Sequence, residues 1–210
     1  MPKRATTKHL TLLEDVEKCE RELVEACLAA PEGSDLQLVI NSGGGNVYSA
    51  LAIASAIELR RLRVRATVLA DCSSSALLIF ASCTARYAAP HASFLFHPMR
   101  WSSEEQSRLS AARSWSEEFT RLNRVCEDWL VERLPIARRT LRQWTREERY
   151  VTARELFDLE IAEPVPEGEE GVIDISRPAV ARTSRTTTRR RGTRAKEAAA
   201  SRSTKVRRAG

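Results

Sequence analysis

The run Leu36-Gln37-Leu38-Val39-Ile40 passes without a break into Asn41-Ser42-Gly43-Gly44-Gly45, and this junction constrains the chain more than any other stretch. A short apolar run that ends in turn residues predicts a strand buried on both faces, the pattern of a parallel sheet. Consecutive glycines admit backbone conformations with positive φ that other residues avoid. Asn46 then fits the cap of a helix whose Val47, Leu51, Ala54 and Ile57 or Leu59 fall on one side. Strand, glycine loop and capped helix in direct succession describe one β-α unit.

The unit recurs. Leu10–Leu13 reads as a strand and Glu14–Ala29 as a helix with Val16, Leu23, Val24, Cys27 and Leu28 on its apolar side, closed by Pro31-Glu32-Gly33-Ser34. A further strand spans Val64–Leu69, and after Asp71-Cys72-Ser73-Ser74 an apolar helix spans Ser75–Ser82. Strand-like pieces follow around Arg86–Ala88 and Ser93–Phe96. Alternation with short connections predicts an α/β domain with parallel pairing. A long helix is expected from Ser103 to about Glu132, with Leu109, Ala112, Trp115, Phe119, Leu122, Cys126 and Trp129 at three- and four-residue steps. Such a stripe packs on the core or on a second copy of the chain. Another helix is expected from Ile136 to Trp144, and Thr152-Ala153-Arg154-Glu155 spells a capping box.

Three polar features each end an apolar segment: the glycine loop, the serines after Asp71, and His97 before Pro98. In an α/β fold they emerge together at the carboxyl edge of the sheet, where such folds build sites. The glycine loop lacks the lysine and the spacing of nucleotide-binding loops, so phosphate binding is a weak reading. Acyl transfer suits the parts better. Glycine amides and a helix start can donate to an oxyanion, a serine can attack, and a histidine can take its proton. The five cysteines form no CxxC pair and the three histidines no cluster, so neither a metal nor a cofactor is expected.

These residues resemble the proteolytic subunit of the Clp protease, within the Clp/crotonase superfamily. Leu38 to Val47 is similar to that family's strand and INSPGGxV loop, Thr67 to Ala76 to its nucleophile segment, and Phe94-Leu95-Phe96-His97-Pro98 to the strand that ends in its histidine. Arg146 to Ala153 lines up with the family's E-R-D-R-F-L-S-A. The resemblance covers roughly residues 8 to 165 and implies repeated β-α units with a long handle helix. It implies Ser75 as nucleophile, His97 as general base, Glu148 as the third member of a Ser-His-Glu triad, and the backbone amides of Gly44 and Ala76 as an oxyanion hole. Departures are visible: Glu148 and Gly43 stand where the family has aspartate and proline, and Asp71 where it has glycine. Serines 73 and 74 replace alanines, and Glu160 and Glu163 replace a glycine and an aspartate.

The implied function is a serine endopeptidase acting on unfolded proteins or peptides as a homo-oligomer, with ring formation and an AAA+ unfoldase partner left open. Family members that work with unfoldases carry an extra amino-terminal segment, whereas the first strand here is read about ten residues in.

Charge divides the chain. From Ser176 to Gly210 there are 12 basic residues and one acid, which leaves 22 basic and 27 acidic residues before it. We therefore read residues 1–175 as the peptidase domain and 176–210 as a disordered basic tail, either a solvated extension or an arm that binds nucleic acid. An alternative function is a catalytically silent oligomeric scaffold with a polyanion-binding tail. An acyl-CoA enzyme is disfavoured by the peptidase order of serine, histidine and carboxylate. No run approaches the length of a membrane span and the start lacks a secretory pattern, so a cytoplasmic location is expected.

Overall fold

The computed structural model describes residues 8–100 and 108–166. The tail assigned to 176–210 and the start of the expected long helix lie outside the described residues. The elements are β1 (Lys8–Leu12), α1 (Val16–Ala29), β2 (Asp35–Ser42), α2 (Val47–Leu59), β3 (Arg63–Cys72), α3 (Ala76–Ser82), β4 (Ala85–Ala88), β5 (Ser93–Phe96), α4 (Leu109–Arg133), α5 (Arg138–Arg146), β6 (Arg149–Thr152), α6 (Ala153–Asp158) and β7 (Glu163–Pro164).

The main sheet has the order β1-β2-β3-β4-β7 with every neighbour parallel. This is the expected α/β architecture. Its central strands are buried: Leu36, Leu38, Ile40, Val64, Ala66 and Val68 are at most 3% exposed, as a sheet covered on both sides requires. Helices α1, α2, α3 and α4 form a chain of successive contacts along it. Phe80 of α3 meets Phe94 of β5 with ring centroids 5.5 Å apart, and Phe96 meets Trp144 of α5 at 5.2 Å, tilted arrangements that suit the ring quadrupoles.

Near its carboxyl end β3 still pairs with β2, at Cys72, and takes β5 as a further neighbour at Asp71. Beside it, β5 pairs parallel with β3 at Asp71 and Ser93, and antiparallel with β6 from Ser93–Thr152 to Phe96–Arg149. That second sheet brings residues 93–96 against 149–152. The strands β6 and β7 escaped the sequence reading: β6 buries only Val151, and β7 has two residues, both exposed. The capping box is present: Thr152 Oγ1 accepts from Glu155 N at 3.3 Å, and Glu155 Oε2 accepts from Thr152 N at 2.9 Å.

Three L residues complete helix ends in the left-handed region. Arg61, Glu148 and Glu160 follow α2, α5 and α6 with φ of 51°, 49° and 55°. At α2, Leu62 N donates to Ile57 O and Arg61 N to Glu58 O, the paired bonds of a helix end that glycine usually serves. Glu160 sits in the same conformation, which accounts for a glycine at that place in the family pattern.

Candidate active site

The site is assembled where β2 and β3 end. Their register shifts between Ile40 and Ser42, so that Ser42 faces Cys72, and the two following loops are sewn together by backbone and side chain. Ser73 N donates to Ser42 O at 3.0 Å, and Asp71 N to Asn41 Oδ1 at 3.1 Å. Ser74 N donates to Leu95 O at 2.9 Å, which ties the same turn to β5. Gly44 fits against this turn at φ 100°. A Cβ placed there would lie 2.7 Å from Ser74 Cβ and 2.8 Å from Ser73 O, so only glycine allows the two loops to meet.

The three serines separate cleanly. Ser73 Oγ donates to Asp71 and accepts from Leu95 N at 3.2 Å, so it is a structural strut, and Asp71 is turned toward that hydroxyl. Ser74 takes φ 56°, a strained placement that reverses the chain just before α3. Ser75 begins α3 at its cap position, is 6% exposed, and donates its Oγ proton to Gly45 O at 3.1 Å.

A cavity of about 790 Å³ opens beside it, lined by Ser75, His97, Gly45, Asn46, Phe96 and residues of α4 and α5. Ser75 and His97 thus border one space. His97 Nδ1 lies 2.7 Å from Pro98 O. A carbonyl can only accept, so when the imidazole is neutral its proton is on Nδ1 and Nε2 carries the lone pair.

Glu148 is placed differently from the role the resemblance implies. Its Oε2 lies 2.5 Å from the Arg100 guanidinium, and no hydrogen bond joins Ser75, His97 and Glu148 to one another among the described residues. The amides of Gly44 and Ala76 have internal partners, Ser42 Oγ at 3.2 Å and Ser73 O at 3.1 Å. Sequence reasoning passed over Gly45 and Ser75, whose backbone N–H groups donate no hydrogen bond among the described residues and which both line the cavity.

One support was also missed. The carbonyl of Gly44 accepts from Val16 N at 2.9 Å, and Glu17 Oε2 accepts from Asn46 N at 2.8 Å. The first turn of α1 therefore holds the glycine loop at two points. The only sequence signal for this was an acid in the first turn of a helix, a common feature with no pointer to its partner.

A Clp protease family match spans residues 7–167. The chain belongs to the Clp protease family. No curated protein matches it. Family membership extends over the whole described fold, and within it the Clp-type glycine loop is the part that this chain holds with α1.

Among the described residues no group of histidine, cysteine, aspartate and glutamate is arranged to hold a metal ion. All five cysteines are free thiols. Burial raises the thiol of Cys83 to about 12 and that of Cys126 to about 11, which makes both poor nucleophiles at neutral pH.

Proposed function

We propose that this chain is a serine endopeptidase that cleaves peptide bonds through an acyl-enzyme on Ser75. One observation carries the reading: the buried Ser75 hydroxyl at the start of α3 and the His97 imidazole line the same cavity.

Ser75 Oγ attacks the substrate carbonyl carbon while His97 Nε2 takes its proton, and the imidazolium then protonates the departing amine. Water repeats the sequence in reverse order to release the acid. For the attack, the Ser75 hydroxyl must leave the Gly45 carbonyl for Nε2; hydrogen bonds of free enzymes commonly rearrange in this way on substrate binding. The developing oxyanion is held by amides of the glycine loop and the α3 start. Gly44 and Ala76 are the pair implied by the family, and Gly45 and Ser75 are further donors at hand. Each donor contributes about 3 kcal/mol to lowering the barrier.

Glu148 stabilises the imidazolium in this scheme once it exchanges Arg100 for His97. Pro98 O already serves the tautomer, but a neutral carbonyl stabilises the charged ring less than a carboxylate. Self-association belongs to the proposal, supported by Leu109 and Trp115 of α4, which are 81% and 39% exposed.

Labelling the full chain with a fluorophosphonate, followed by peptide mapping, tests the reading. An adduct on Ser75 that disappears in Ser75→Ala and slows in His97→Ala is expected. An adduct elsewhere, or none, would reject it.

A further inference from the structure

The cavity that Ser75 and His97 border is also lined by apolar side chains, among them Leu77, Leu78, Phe96 and Leu141. Its charged lining residues are Arg100, Arg142, Arg146 and Glu127. Two of the three cations are already matched. Arg100 holds Glu148, and Arg142 holds Glu127, which Arg138 also contacts at 2.6 Å. Arg146 forms no ion pair among the described residues. The neighbouring Glu147 accepts from Gln143 Nε2 at 3.0 Å.

We infer that the cavity selects peptides bearing an aspartate or glutamate side chain near the scissile bond, with Arg146 as the specificity residue. The inference rests on the peptidase reading above and deepens it. The guanidinium presents a planar fork that matches a carboxylate. An amide side chain in the same place gains only a neutral hydrogen bond, and a lysine meets like charge. The apolar lining residues suit the methylenes of the acidic side chain and the flanking residues. Because Arg146 is exposed, solvent screens the pair and the preference is modest, about three- to fivefold per carboxylate, and weaker at high salt.

Arg146 is also the last residue of α5, where a cation suits the exposed carbonyls. That role would affect stability alone, so the test reads specificity and stability separately. Internally quenched peptides that carry Glu, Gln or Lys at each position from P3 to P1′ are compared by kcat/KM on the full chain, at low and at high salt. The order Glu above Gln above Lys is expected at one position. Arg146→Gln should abolish the difference between Glu and Gln, and Arg146→Glu should make Lys the best of the three.

Equal turnover of the Glu and Gln peptides by the wild type, or an unchanged preference in Arg146→Gln, would overturn the inference even where Ser75 labels normally. Binding of the same peptides to Ser75→Ala, followed by fluorescence anisotropy, keeps the question open to measurement without turnover. Tighter binding of the Glu peptide in that variant supports the acidic subsite even if no adduct forms on Ser75, an outcome that would reject the peptidase reading alone. Equal binding of all three peptides there rejects the subsite.

Discussion

Glu148 and Arg100 form an ion pair at 2.5 Å, with side chains 49% and 71% exposed, and Arg100 lines the cavity that His97 borders. The carboxylate expected beside the imidazole is held by a guanidinium instead. Exposed pairs of this kind contribute at most about 1 kcal/mol, so the contact is a weak brake and not a lock. Arg100→Ala should therefore raise kcat/KM on a neutral peptide by up to about fivefold, through kcat, because Glu148 becomes free to reach Nδ1. Steady-state kinetics across pH 6–9 measures this; a drop in kcat would mean that Arg100 helps the reaction in another way.

Glu148 also occupies a strained backbone position, φ 49° directly after α5, with its N–H donating to Thr145 O at 3.2 Å. Glycine fits that conformation at lower cost, by about 1 kcal/mol. Glu148→Gly should thus fold with equal or up to about 1 kcal/mol greater stability after loss of the exposed ion pair is allowed for, while kcat/KM falls by about 10²-fold or more. Thermal unfolding beside kinetics checks the pair of outcomes. A clear loss of stability would contradict the strain argument.

Glu17 holds the backbone of the glycine loop. Its carboxylate holds Asn46 N, and the carbonyl of the same peptide unit, that of Gly45, holds the Ser75 hydroxyl. Glu17→Ala should lower kcat about tenfold with KM nearly unchanged, and Glu17→Gln, whose amide oxygen can still accept, should recover most of it. If alanine and glutamine behave alike, the peptide is held by the surrounding fold and not by Glu17.

Alkaline stability follows from the thiols. Cys83 is fully buried and raised from 9.0 to about 12, first by desolvation, and Cys72 is raised as well. Between pH 9 and about 12 the unfolded chain releases these protons while the folded chain retains them, so stability is fully present below pH 9 and falls as pH rises. A series of unfolding temperatures from pH 7 to pH 10.5 should show the decline. Cys83→Ala should show a shallower one, and an identical slope in that variant would assign the decline to other groups.

Much of this protein was legible in the chain. Apolar runs and turn residues are local signals, so the β-α order, the glycine loop, the cap at Asn46 and the Thr152–Glu155 box could all be read from neighbours within a few residues of each other. The order of Ser75, His97 and Glu148 pointed to the family, and the family match agrees with it. What the fold alone decided were partnerships across distance. Ser73 became a strut because β5 passes beside it, Glu148 met Arg100 from 48 residues away, and Glu17 reached a loop 29 residues on. A polar side chain bonds to whatever atom the long-range packing sets within about 3 Å of it, and no periodicity in the sequence encodes that choice.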